Sequence, residues 1–373
     1  MKKLIFRKFT NDVIGFFLLS TISVSIIIWV IQAVNFLDFV SEDGHSFKVY
    51  FMYTFLSFPK IFSRILPFMF FLSLFYIYLK YEENNELLIF WLHGVRKFEF
   101  IKKILVLSLL FLLFQILLTS FIVPFTQDKA RSFLRTSTID FFPSLIKEKK
   151  FIDTVSNLTI FIEKKYSDGR LENIFLKDEI SDQESQVIFA KSGMIKKNEN
   201  SHFLILFNGN IINKNENNKN VISFEKTRFN LSKYSTKSTT FPKISELSTS
   251  VLLSCLYNLY INTPENFNYK YLMCEKKNEG PIFSEIFRRV VLPFYIPVIG
   301  LITSFILLTS KDKLNFKSYK LRIFIFCSLT IIISEISIRY SGYSMRNNLI
   351  FFMIPLSLFF LTMTILLKKL RTS

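Results

Sequence analysis

The sequence predicts a membrane α-helical fold: six transmembrane helices, with an all-β domain of sandwich or barrel type inserted between helices three and four. Three observations carry that prediction. Three long apolar runs precede Pro124 and three follow Glu285. The block between them is polar, charged and patterned for strands. The short loops joining the apolar runs are alternately rich and poor in Lys and Arg. The 373 residues thus divide into a first membrane half at 1–124, an insert with its connecting helix at 125–284, and a second membrane half at 285–373.

Half of the chain is hydrophobic and its mean hydropathy is +0.33, yet 20% of it is charged. A bilayer core of about 30 Å requires roughly 20 helical residues. Spans are therefore predicted at Val13–Val34, Phe51–Leu79, Ile104–Val123, Val290–Thr309, Ile323–Ile338 and Leu349–Leu367. The second is long enough to require tilt or a helical extension beyond the lipid. The fifth is the shortest and carries Glu335 near its end. Lys2, Lys3, Arg7 and Lys8 precede the first run as they would in a signal peptide. That run, however, exceeds the roughly 7–15 residues of a signal h-region and passes through Trp29 and Ile31 without an A-x-A-like site. It reads as an anchor.

A net charge of +18 would point to nucleic acid in a soluble chain. Here its distribution points to topology, and no nucleic-acid partner is implied. Lys80, Arg96, Lys97, Lys102 and Lys103 lie between spans two and three, and Lys311, Lys313, Lys317, Lys320 and Arg322 between four and five. Lys368, Lys369 and Arg371 follow span six. By the positive-inside rule both termini are cytoplasmic and the insert lies outside; its own charges carry no weight, because long domains translocate regardless of charge.

From about Phe151 short apolar runs alternate with turn-forming residues. Leu158–Glu163 precedes Ser167-Asp168-Gly169 and Leu171–Leu176; Gln186–Ala190 precedes Ser192-Gly193; His202–Phe207 precedes Asn208-Gly209-Asn210 and Ile211-Ile212. Val221–Phe224 and Thr227–Leu231 close the series. Such spacing with Asp-Gly and Asn-Gly predicts antiparallel strands joined by tight turns. Residues 213–220 read as a surface loop, and a helix is expected at Ser245–Tyr260, leading back to span four past Pro264. The sandwich is either a scaffold, or a groove for acyl chains or a docking surface for a similar domain. Phe-rich stripes carry no such weight, because Lys, Asn, Ile and Phe abound throughout.

Charges cluster at the outer side of the spans. Lys60 and Arg64 share one face of span two, being four residues apart. They either snorkel to headgroups or face the phosphates of an anionic amphiphile. Glu285 with Arg288 and Arg289 stands where span four enters the membrane, and Glu335 with Arg339 repeats the spacing at the end of span five. These are structural or gating charges. On the inner side, residues 82–95 carry Glu86, Leu87, Leu88, Phe90 and Trp91 before Gly94, which can end a helix. This is either an amphipathic helix on the membrane face or one that seats in a cytoplasmic partner with Glu86 as its anchor.

No G-x-x-x-x-G-K-[ST] loop is present to cradle ATP. His45, His93 and His202 fall in separate loops or compartments and no H-E-x-x-H occurs, so neither a metal site nor a cofactor is expected. Cys327 lies within a span as a buried thiol, while Cys255 and Cys274 are outside, where a disulfide is permitted. Asn157-Leu-Thr and Asn230-Leu-Ser match glycosylation sequons, which matter only in a secretory pathway.

Asn84-Asn-Glu-Leu-Leu followed by His93-Gly-Val, together with Ser284-Glu-Ile-Phe-Arg-Arg-Val-Val-Leu-Pro293, Pro59 and Pro67, resembles the permease subunits of lipopolysaccharide export ABC transporters. The stretch from Trp29 to Asp38 is more similar to the F subunit than to its G paralogue. The resemblance covers essentially the whole chain. It implies a periplasmic β-jellyroll, an inner-membrane location, a second paralogous permease, a cytoplasmic ATPase dimer, a bridge of periplasmic jellyrolls and lipopolysaccharide as cargo. It further implies lateral gates at spans one and five and coupling to the ATPase through Glu86, Leu87, Leu88 and Gly94. Lys60 and Arg64 become lipid contacts. Two other classes compete: a non-transporting membrane scaffold with a β docking domain, and a membrane enzyme acting on lipid-linked substrates. The second lacks any clustered His, Ser or paired carboxylates on the outer side.

Overall fold

Leu-, Ile- and Phe-rich runs become long helices because in lipid each backbone N–H and C=O must be satisfied within its own segment. In the computed structural model, residues 2–37, 40, 46–136, 148–155, 157–166, 169–179, 184–198, 201–214, 219–231, 243–261, 274, 276–343 and 345–372 are described. The helices before the insert are α1 (Lys2–Asn35), α2 (Phe47–Leu56), α3 (Phe58–Glu83), α4 (Glu86–Leu92), α5 (Lys97–Leu117) and α6 (Val123–Thr136). A π-helical turn at Leu118–Ile122 joins α5 to α6. After the insert come α7 (Thr249–Ile261), α8 (Glu279–Val290), α9 (Tyr295–Ser304), α10 (Phe316–Tyr340) and α11 (Met345–Thr372).

Among the described residues, six stretches are long and apolar enough to cross a membrane: Lys2–Asn35, Phe47–Glu83, Lys97–Leu134, Glu279–Leu308, Phe316–Tyr340 and Arg346–Arg371. Each overlaps one predicted span. Two compact units emerge, the first Met1–Trp29, Phe58–Gln127 and Lys243–Ser373, the second Val30–Ser57 and Asp128–Pro242.

The first unit is built around the fourth span, whose apolar window is 83% buried against 17% for the first and sixth. Leu66, Phe70, Leu74 and Tyr78 of α3, Phe100 and Ile104 of α5, and Ile296 and Ile299 of α9 form its centre. Gly300 lets α9 approach α5: a Cβ there would sit 3.2 Å from Ser108 Cβ, the small-residue contact by which membrane helices pack closely. Pro293 lies in the 3₁₀ turn Leu292–Phe294 that separates α8 from α9, where its missing N–H interrupts the helical ladder. Pro59 falls in the first turn of α3, where no donor is needed. On α1, Phe9, Val13, Phe17, Thr21 and Ser25 form a buried stripe of period four, whereas Leu18, Leu19, Ile22, Ile26 and Ile27 are exposed. That apolar outer face belongs in lipid or against another membrane helix.

Among its described residues the second unit contains six strands, β1 (Phe151–Val155), β2 (Leu158–Lys165), β3 (Arg170–Glu179), β4 (Ser185–Asn198), β5 (Ser201–Lys214) and β6 (Lys219–Asn230), paired antiparallel in sequential order. Ile160, Ile162, Leu171, Leu176, Leu204 and Leu206 form its core. On the opposite face cross-strand rings pair, Phe151 with Phe161 at 4.7 Å and Phe175 with Phe189 at 5.2 Å.

The expected turns at Ser192-Gly193 and Asn208-Gly209-Asn210 are not turns. They lie inside β4 and β5, and Val221–Phe224 and Thr227–Asn230 likewise belong to one strand, β6. The reason is a row at which four of the five ladders, those from β2 to β6, skip a pair: 163 with 173, 173 with 191, 191 with 208, and 208 with 225. Asn173 and Asn208 adopt φ of 49° and 50° in that row. The inward-facing set changes phase across it, from Leu171 to Ile174 in β3 and from Leu206 to Ile211 in β5. Such irregularities bend a strand without ending it. The glycines serve close approach: a Cβ on Gly209 would stand 2.0 Å from the Phe189 carbonyl oxygen, and one on Gly193 2.5 Å from Ile174 Cδ1. Gly169, at φ +83°, does serve a turn, donating its N–H to the Tyr166 carbonyl at 3.0 Å. Ser167, Asp168, Pro264, His45 and the tip of the predicted loop at 215–218 lie outside the described residues.

Candidate functional site

Charged side chains gather at both ends of α3. At the end bearing Lys60 and Arg64, the most enclosed group is Arg289, 1% exposed. The i,i+4 spacing on α8 brings its Nε to Glu285 Oε1 at 3.1 Å, while Arg288 reaches Glu285 Oε2 at 3.2 Å. The remaining guanidinium donors go to the Leu247 and Ser245 carbonyls at 2.9 and 3.1 Å and to Thr249 Oγ1 at 3.0 Å. Thr249 Oγ1 in turn donates to the Ser120 carbonyl, and Thr119 Oγ1 to the Arg289 carbonyl. Thr119 and Ser120 belong to the π-helical turn, so the clasp sits where the helix departs from the α-helical ladder.

Lys60 is half-buried and donates to Gln127 Oε1 at 3.3 Å. Arg64 is exposed and lies within electrostatic reach of Arg288, Glu285 and Glu335; Lys60 feels Arg64, Glu246, Glu285 and Lys243. The three groups separated in sequence therefore converge. A cavity of about 710 Å³ opens beside them, lined by Ser284, Arg288, Glu335, Arg339 and Tyr343. Glu335 and Arg339 are exposed on α10, and no ion pair joins them among the described residues. Its rim includes a backbone contact: Gly342, at φ +91°, stands so close to Gly280 that a Cβ would be 2.3 Å from the Gly280 carbonyl oxygen. Arg64, Arg288 and Arg339 give this region cationic donors that suit phosphate or carboxylate oxygens.

Nearby, Cys255 and Cys274 form a disulfide, packed with Leu252 and Ile282. Cys327 is a buried free thiol. Among the described residues no three of His, Cys, Asp and Glu gather as metal ligands would.

At the other end of α3, the α4 residues do not share one face. Leu87 and Phe90 are buried, at 2% and 6% exposure, whereas Leu88, Ile89 and Leu92 are exposed. Gly94 takes φ +75° after the helix ends, a left-handed conformation that glycine adopts without strain. Glu86 is bound by Lys8 of α1 at 2.5 Å. Asp12 and Tyr81, like Thr119 and Thr249, carry no motif that marks them in the sequence, and Lys8 is marked there only as a charge flanking the first apolar run.

Six membrane-crossing helices, an antiparallel β domain after the third, and charged assemblies at both ends of α3 define a polytopic membrane protein with a large polar insert. The chain matches the family model described as lipopolysaccharide export system permease LptF/LptG over residues 7–369. It belongs to that family. It is also 26% identical over 207 residues to an uncharacterized protein of Rickettsia prowazekii (strain Madrid E), an alignment covering 55% of this chain and 57% of that relative. The chain thus spans little more than half the length of the curated relative it matches.

Proposed function

We propose that this chain is one of two paralogous permease subunits of an ABC-type exporter that lifts lipopolysaccharide out of the bacterial inner membrane. The family match across residues 7–369 is the observation that carries this reading. In it both termini are cytoplasmic, the β domain is periplasmic, and ATP is hydrolysed by a separate cytoplasmic ATPase dimer. The cations around Lys60, Arg64 and Arg288 receive phosphate groups of the lipid, and Glu285, Arg289, Glu335 and Arg339 hold or gate the mouth. The β domain passes the lipid to a bridge of periplasmic jellyrolls. On the inner side Glu86 couples α4 to the ATPase, with Leu87 seating the helix and Leu88, Ile89 and Leu92 offering apolar contact. The Trp29–Asp38 stretch favours the F type over the G type. Purification of the tagged chain from native membranes, with mass analysis of bound protein and lipid, tests this: a second permease, an ATPase and lipopolysaccharide are expected. A chain that purifies alone and lipid-free contradicts it.

A further inference from the structure

The first three turns of α1 are fastened to three other helices. Lys2 pairs with Glu99 of α5 at 2.9 Å, Lys8 with Glu86 of α4 at 2.5 Å, and Asp12 Oδ2 accepts from the Tyr81 hydroxyl of α3 at 2.5 Å. Lys8 Nζ also lies 5.5 Å from the centroid of the Tyr81 ring. Between these polar contacts Phe9 is wholly buried, its ring 4.6 Å from Phe100 and 6.2 Å from Tyr81. Phe90 of α4 joins the same cluster, 5.6 Å from Tyr81. Beyond Phe17 most of the apolar surface of α1 is exposed. Farther along, Thr21 and Ser25 are buried and the Tyr50 hydroxyl donates to the Ala33 carbonyl at 3.0 Å; at its start α1 is linked to α4 by the Lys8–Glu86 ion pair.

We propose that Lys8 is a positioning residue for Glu86, holding the carboxylate in place until a cation on a docking protein takes it. The proposal rests on the reading of α4 as the coupling helix. The Lys8 side chain is 54% exposed and Glu86 20% exposed, so the lysine end of the pair faces solvent and is the end that can be exchanged. Removal of Glu86 from Lys8 loosens one of the polar fasteners of α1 while Asp12–Tyr81 and the Phe9 cluster keep it docked. Docking on α4 is thereby linked to how firmly the first turns of α1 are held. The exchangeable pair lets this attachment respond to the partner.

The test uses the intact complex purified from native membranes, carrying Lys8→Gln, Lys8→Arg or Glu99→Gln. Two quantities are read: ATP hydrolysed per lipid released, and the nucleotide-dependent change in mobility of a spin label at Ile26→Cys. Lys8→Gln is expected to retain the ATPase, to raise ATP consumed per lipid about fivefold and to abolish the nucleotide response of the label. Lys8→Arg is expected to restore both, and Glu99→Gln to leave both near wild type. Wild-type stoichiometry and label response in Lys8→Gln, or equal defects in Glu99→Gln, overturn the role of Lys8. If the wild-type preparation carries no ATPase, the coupling reading of α4 itself fails and this proposal falls with it.

Discussion

The Arg289 guanidinium meets the Glu285 carboxylate at 3.1 Å with its side chain only 2% exposed. A buried arginine is tolerable because its donors are matched by a carboxylate, two carbonyls and a hydroxyl. The clasp fixes residues 245–249, the segment leading into α7, against α8. Removing Glu285 leaves the buried guanidinium without its counter-charge, and removing Arg289 orphans the Leu247 and Ser245 carbonyls and leaves Glu285 with Arg288.

Arg289→Ala is accordingly expected to destabilise the membrane unit by about 3–5 kcal/mol. Arg288→Ala, which removes a side chain 40% exposed, is expected to cost less than about 1 kcal/mol. Thermal unfolding of the purified variants in detergent compares them. Equal melting temperatures for the two would refute the clasp.

Gly209→Ala places a methyl group against the Phe189 carbonyl oxygen. Strand β5 must shift, and a loss of about 1–3 kcal/mol or more is expected. Gly15, on α1, has nothing within 4 Å of an added Cβ, so Gly15→Ala is the control and should match or exceed wild-type stability. Protease resistance of the β domain within the full-length chain reads out the first effect. A wild-type cleavage rate for Gly209→Ala would contradict the packing described.

These glycines also mark where sequence reasoning reached its limit. The six spans were legible because lipid imposes a length and an apolarity that few other contexts require. The strands were legible by alternation, but their joins were misread. Asn208-Gly209 has the composition of a hairpin turn, and the alternation breaks there for a different reason, a phase change shared by neighbouring strands. Lys60 and Arg64 were visible as charges inside an apolar run. The Lys8–Glu86 and Asp12–Tyr81 contacts were not visible, since each joins residues 69 or more positions apart and no local pattern encodes such a meeting.

The disulfide closes a separation of 19 residues between Cys255 and Cys274, and loop closure of that size stabilises by about 3 kcal/mol. Alkylation of the denatured, unreduced chain should modify one cysteine, Cys327, and alkylation after reduction should modify three, as counted by mass. Three modified cysteines before reduction would exclude the bond. Cys255→Ser should also speed cleavage near α7.

The central claim is that cations at the Lys60 end of α3 hold the phosphates of an exported lipid. The most direct measurement is photo-crosslinking of lipopolysaccharide in native membranes, with a photoreactive residue at Tyr343 on the cavity rim, in wild type and in Lys60→Ala/Arg64→Ala. Loss of two cationic contacts worth about 1 kcal/mol or more each should lower crosslinked lipid by roughly tenfold or more, with the amount of folded protein unchanged. Unchanged crosslinking would return Lys60 and Arg64 to the lipid–water boundary as snorkelling charges and contradict the account.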